Sequence, residues 1–208
     1  MPLQNRVDPH GRLRGVPARG ALMGNRGILH DAEKQIIAAW RSPRWISCTL
    51  EFKGRRREVF APHRYSELFF LDEATSLAAG HRPCAECRRP RFKEFCAAWA
   101  AGNADLVVSR PLRADTIDRV LHAERVRDDG GKKTYPATVS TLPAGSFVEH
   151  EGRAYLVWAG KLRPWSFAGY GPAANLSPAT EVAVLTPKSI VQAIRAGFLP
   201  AVHQSAGG

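Results

Sequence analysis

FFLDEATSLAAGHRPCAECRRPRFKEFCAAWAAG, residues 69–102, sets two helix signals around a cysteine knuckle, and the rest of the chain is read outward from it. Asp72 is placed to cap a short helix running through Ala79, and Gly80 can end that helix in the left-handed conformation. Pro90 opens a second helix, in which Phe92, Phe95, Cys96 and Trp99 recur at i, i+3, i+4 and i+7 on one apolar face until Gly102 stops it. Between the helices, Pro83-Cys84-Ala85-Glu86-Cys87 puts two thiols three residues apart in a tight turn. Two thiolates at that spacing suit one tetrahedral zinc, with backbone N–H groups of the turn steadying the sulfurs. A redox CxxC follows a strand and opens a helix within a βαβ unit, which is not the pattern here.

Upstream, the pattern from Gly27 to Phe60 is strand-like. In WISCTLEF, Ile46, Cys48, Leu50 and Phe52 alternate with Thr49, Glu51 and Lys53, and a basic turn over Lys53–Arg57 closes a hairpin. Residues 1–22 mix Pro2, Pro9, Pro17, Gly11, Gly15 and Gly20 with arginines and read as an irregular basic arm. Downstream, LVVS and a Pro/Arg linker near 103–113 mark a seam. A third helix over Asp115–Arg125 buries Ile117, Val120 and Leu121. SFVEH, RAYLVWA, KLRPWSF and EVAVLT are short strands, and Thr186-Pro187 starts a last helix that ends near Gly197. The expected organisation is an arm (1–22), a zinc-binding region (23–104) and a C-terminal region with antiparallel strands (105–208). The fold class is α+β: a zinc-containing half packed on a half of short antiparallel strands with two helices.

The formal net charge of +11 suits a protein that meets phosphate backbones. No apolar run approaches a membrane span and no secretory h-region begins the chain, so the expected compartment is the cytoplasm. In that reducing setting, the four cysteines read as metal ligands or core thiols. No P-loop or dinucleotide glycine motif is present, so no nucleotide cofactor is expected.

FFLDEATSLAAGHRPCAECRRPRF resembles the second half of the metal-binding module of the Ada family of DNA-alkylation-repair proteins. There, an Ala-rich helix enters a Gly-aromatic-Arg-Pro-Cys-x-x-Cys knuckle, and the resemblance covers about 20 residues. It implies zinc and DNA. The family's upstream Cys-x-x-x-Cys pair is missing, with Arg57 standing where its second cysteine belongs. Gly24-Asn25-Arg26 followed by His30 and Cys48 is a looser echo of related knuckles fused to nucleases. It places Cys48 as third ligand and His30 first among fourth ligands, ahead of His63 and Cys96. His81 suits a supporting or phosphate contact.

On the third helix, Asp118, His122 and Arg125 share a face, and Glu124 lies on the side that otherwise reads apolar. A carboxylate, an imidazole and a guanidinium within two turns can perform acid/base chemistry, with His122 and Glu124 as the proton-transfer pair and Asp118 orienting the histidine. Glu51 and Lys53, with Asp31 upstream, form a weaker nuclease-like set. Arg26, Arg55, Arg56, Arg57, Arg82, Arg88 and Arg125 are candidate phosphate contacts, and Trp165 and Tyr170 are candidate stacking residues. The expected function is a zinc-stabilised DNA-binding protein that cleaves or repairs DNA, as a nuclease or glycosylase, with RNA as the other possible polymer. The rivals are a non-catalytic nucleic-acid module and a small-molecule enzyme with an anionic substrate.

Overall fold

The computed structural model describes residues 1–54, 58–107 and 111–207. The class is α+β, built on two sheets of six strands each. The first sheet comprises β1 (Arg6–Val7), β2 (Leu13–Arg14), β3 (Leu22–Asn25), β4 (Ile46–Cys48), β5 (Leu68–Phe70) and β6 (Arg82–Pro83), in the order β2-β1-β5-β3-β4-β6. Its pairs are antiparallel except β1–β5 and β4–β6. The N-terminal residues are therefore not an arm, since β1 and β2 form the edge of this sheet. Val7 and Leu13, invisible as a periodic signal in such short runs, are buried beside Leu68 and Phe70.

The helices are α1 (Glu73–Ala78), α2 (Arg89–Gly102), α3 (Ala114–Arg125) and α4 (Lys188–Arg195). Asp72 caps α1 by accepting from Thr75 N at 2.8 Å, as its sequence position predicts. Gly80 follows at φ +87°, and a Cβ there would lie 2.5 Å from Arg125 Cδ, so backbone and packing both demand glycine. Phe95 and Trp99 of α2 pack on Ile117 and Leu121 of α3 and Ile190 of α4. The expected LVVS strand falls partly outside the described residues, and its first residue, Leu106, ends a 3₁₀ turn that begins at Ala104.

The second sheet is antiparallel throughout: β7 (Tyr135–Thr138), β8 (Phe147–His150), β9 (Arg153–Trp158), β10 (Lys161–Ser166), β11 (Gly169–Tyr170) and β12 (Glu181–Val184), in the order β11-β10-β9-β8-β12-β7. One of its faces packs on α1, joining Leu71, Ala74 and Ala78 to Phe147, Leu156 and Tyr170 in a shared core. No helix among the described residues is long and apolar enough to cross a membrane.

Candidate metal centre and its surroundings

The CxxC turn meets Cys48 because of register. β4 and β6 run parallel with Ser47 opposite Pro83, and Cys84 N donates to Ser47 O at 2.9 Å. One residue further along each strand, Cys48 and Cys84 come side by side, and the knuckle folds Cys87 back over them. The three sulfurs lie within 4.8 Å of one another, a group that could hold a metal ion. None of the four cysteines is in a disulfide. Glu86 N donates to Cys84 Sγ at 3.4 Å, the backbone support that a thiolate in a metal knuckle needs. The Cys84 thiol is held down, to about 5, first by the hydrogen bond from Cys48, with the Cys87 and Glu86 N–H groups adding to it. Cys48 is pushed up in return, first through its bond to Cys84 and then by burial. Clustered thiols of this kind exchange protons for a metal ion readily.

The knuckle is pinned on both flanks by buried charge pairs. Before it, Arg82 makes a two-pronged contact with Asp118 of α3, at 2.8 and 2.7 Å. After it, Arg88 donates to Glu73 Oε1 at 2.5 Å and to Ser47 Oγ at 2.9 Å. Arg91 binds the same carboxylate, which also accepts from Ala201 N at 2.9 Å. Burial pushes Glu73 up, but Arg91, Ala201 N–H and Arg88 together outweigh it and hold the carboxyl below its ordinary range. Arg82 and Arg88, expected to meet phosphates, are thus engaged inside the protein and fix the cysteine turn.

The cluster opens on a chamber of about 560 Å³. Its floor is one face of the first sheet: Met23 lies opposite both Cys48 and Phe69 in the ladder, so their side chains share a side, and Asn25, Ile46 and Glu67 follow on the same face by alternation. Gly24 faces the other way, where a Cβ would collide with the Phe70 ring at 2.3 Å. The segment after Cys48, expected to continue the strand through Phe52, instead leaves the sheet and lines the chamber with Leu50, Glu51 and Phe52. Glu51 and Lys53 therefore share no strand, and Asp31 caps a turn by accepting from Gln35 N at 2.8 Å. Glu67, which sequence reasoning missed, is 3 % exposed. Its Oε2 accepts from Phe60 N at 2.9 Å, while Oε1 has no hydrogen-bond partner among the described residues. The alternation of Glu67 and Phe69 before LDEA was the signal that could have found it.

The remaining candidates lie elsewhere. His30, the preferred fourth ligand, is not in the cluster. Its Nδ1 shares a 2.6 Å hydrogen bond with Ser66 Oγ, Nε2 contacts Ala61 O at 3.3 Å, and the ring stacks on Phe60. His63 is exposed and Cys96 sits on α2, where burial pushes its thiol up to about 11; neither joins the three sulfurs. Asp118 does not orient His122, because both its oxygens face Arg82. His122 packs edge-on to Trp40 and has Nδ1 3.3 Å from Arg125 Nη2. Glu124 accepts from Ser189 N and from Ser189 Oγ at 2.7 Å, tying α3 to the first turn of α4. Asp118, His122 and Glu124 thus have three separate sets of partners and are not hydrogen-bonded to one another among the described residues. Tyr170 is buried and donates to Asp72 Oδ2 at 2.6 Å, and Trp165 Nε1 donates to Thr75 Oγ1 at 3.1 Å, so these aromatics brace α1 against the second sheet. Arg26 and Arg125 lie together against Trp45. Arg55, Arg56 and Arg57 lie outside the described residues.

Comparison with known protein families, with characterised proteins and with solved structures gives no match. The likeness to the Ada knuckle accordingly stops at its coarser content, a cysteine cluster able to hold a metal.

Proposed function

We propose that this chain is a zinc protein that binds DNA and processes it, with the metal on Cys48, Cys84 and Cys87 and the chemistry in the adjoining chamber. The observation that carries this reading is the convergence of three thiols on a cavity whose wall also holds Glu67 with an unpartnered carboxylate oxygen. Three thiolates suit zinc over harder ions, and three protein ligands are the number that leaves a tetrahedral ion one open place. When bound, zinc in such a site supplies a Lewis acid and lowers the pKa of a water molecule. The chain's own contribution is positional. Phe60 N–H fixes one oxygen of Glu67 and leaves the other to accept a proton, while Met23, Phe52 and Phe69 make an apolar lining that limits water. The net charge of +11 supports a polyanionic substrate.

Elemental analysis should give about one zinc per chain. DNA affinity should fall steeply between ~50 and ~200 mM salt, as counterion release requires. Glu67→Gln should keep the metal and the DNA affinity while strand cleavage or base release drops ~100-fold, the usual worth of a proton acceptor. Full activity in Glu67→Gln, or DNA binding indifferent to salt, overturns the reading. Tight DNA binding with no product from the wild type selects the rival, a binding module whose metal only staples β4 to the knuckle. That rival is favoured by the ion pairs that already clamp the turn.

A further inference from the structure

The opposite side of the first sheet carries a second cavity, of about 740 Å³, whose lining among the described residues has five Arg and Lys side chains and no carboxylate. Alternation explains the placement. Asn25 and Ile46 face the cysteine chamber, so Arg26 and Trp45, one residue away at the strand ends, fall on the other side. The Arg26 and Arg125 guanidinium groups lie 4.0 and 4.1 Å from the Trp45 ring. Lys132, from the turn after α3, joins them, and Arg12 and Arg14 complete the basic lining.

These cations are poorly answered by the protein. Arg26 is 1 % exposed; its Nε donates to His81 Nε2 at 3.1 Å and its Nη1 to Gly11 O at 2.8 Å, but Nη2 has no partner among the described residues. Arg125 is equally buried, donating to Gly80 O at 2.7 Å and to Pro43 O, with Nε unpartnered. Lys132 is half-buried and donates to Ala78 O. The carbonyls of Ala78 and Gly80 at the end of α1 lend partial negative charge to Arg125 and Lys132, which is a sufficient structural use for those two. It leaves Arg26 Nη2 unaccounted for. Asp8 is held by Arg12 at 2.9 Å and approached by Arg14 at 3.7 Å. Burial lowers Arg26 and Arg125 to about 9, and burial followed by repulsion from both arginines lowers Lys132 to about 7. Asp8 acts on Arg26 and Lys132, and Asp118 acts on Arg125, but Asp8 is bonded to Arg12 and Asp118 to Arg82, so the buried positive charge is answered only in part and an entering anion relieves it.

We propose that this cavity is a binding site for a phosphoryl group, gripped by Arg26, Arg125 and Lys132. Guanidinium forks match phosphate oxygens, and several converging cations favour a dianion over a single carboxylate. The volume lies within the ~300–1,000 Å³ of small-molecule sites and exceeds what a bare phosphate needs. Trp40, edge-on to His122 and lining the same cavity, offers a wall for a flat organic portion. The phosphoryl group can come from a free phosphorylated small molecule or from a nucleic-acid strand. The proposal stands apart from the metal centre and from the proposed activity on DNA.

The test is calorimetric titration of the protein with inorganic phosphate, a 5′-mononucleotide and a short single-stranded oligonucleotide, each at ionic strength fixed with chloride. Phosphate should bind saturably, and Lys132→Gln and Arg26→Gln should each weaken it at least ~10-fold with unchanged zinc content and circular dichroism. If Arg26→Gln does not fold, Lys132→Gln decides, since Lys132 is only half-buried. A mononucleotide that binds more tightly than phosphate, with oligonucleotide binding untouched by Lys132→Gln, identifies a free metabolite. Oligonucleotide binding displaced by phosphate and lost in Lys132→Gln identifies a strand. Absence of binding by all three ligands, or phosphate binding undiminished in the variants, overturns the proposal.

Discussion

The two sheets of this protein use the same number of strands for different ends. In the second, strands reach six residues and both faces fill: Val148, Val157, Leu162, Val182 and Val184 pack together on one side, and Phe147 and Leu156 pack toward α1 on the other. In the first, no strand exceeds four residues, and the residues at or just beyond the strand ends are Arg26, Trp45, Cys48, His81 and Cys84. Short strands end before side chains can fill both faces with hydrocarbon, so each face keeps a cavity. One holds thiols and a carboxylate and the other holds cations. The filled sheet presents hydrocarbon to its neighbours, and the unfilled one holds thiols, a carboxylate and cations in its two cavities.

The largest expected effect that tests this contrast comes from the cysteines. Cys84→Ser should reduce bound metal from about one per chain to below ~0.1, because metal binding to clustered thiolates is itself folding free energy. Hydrogen exchange should then show the amides of Ile46–Cys48, Arg82 and Cys84 losing protection while β8 and β9 keep theirs. Uniform loss across both sheets would mean that the two regions fold as one unit, and the comparison would fail.

A smaller effect separates charge from volume. Arg82→Met leaves Asp118 buried without its partner and should cost roughly 3–5 kcal/mol by chemical denaturation. Leu156→Ala in the second sheet removes only hydrocarbon and should cost roughly 2–5 kcal/mol. The two are told apart by a double mutant: Asp118→Asn should recover part of the Arg82→Met cost and none of the Leu156→Ala cost.

The smallest effect is a titration. His81 is fully buried, and burial followed by repulsion from Arg26, Arg125 and Lys132 holds its pKa well below 6.5. In the unfolded chain it protonates near 6.5, so unfolding takes up a proton below that pH. The stability His81 contributes is present above about 6.5 and is lost as pH falls toward its depressed native value. Melting temperature measured from pH 7.5 to 5 should fall on this account, and His81→Gln should flatten the slope. An unchanged slope in that variant would place the acid sensitivity elsewhere.

Much of this was legible in the sequence. Asp72 and Gly80 bound α1, the Phe95/Trp99 stripe marked α2, and the CxxC spacing between them marked the metal-competent turn; such signals depend on residues within one or two turns of each other. Cys48 was reached through the loose Gly24-Asn25-Arg26 echo, and the parallel pairing of β4 with β6 accounts for its place. What the sequence could not show was which charges face one another. Asp118 and His122 share a helix face, yet Arg82, 36 residues away in the chain, takes the carboxylate. Glu124 looks like a buried acid but accepts from Ser189, 65 residues on. His30 stands upstream of Cys48 as a ligand would, but the strand order carries it to Ser66 and Phe60. Local pattern sets helices, caps and the knuckle because those energies are short-range. The partners of buried charges, and the two cavities on either face of one sheet, are set by strand order and register, which only the folded chain decides.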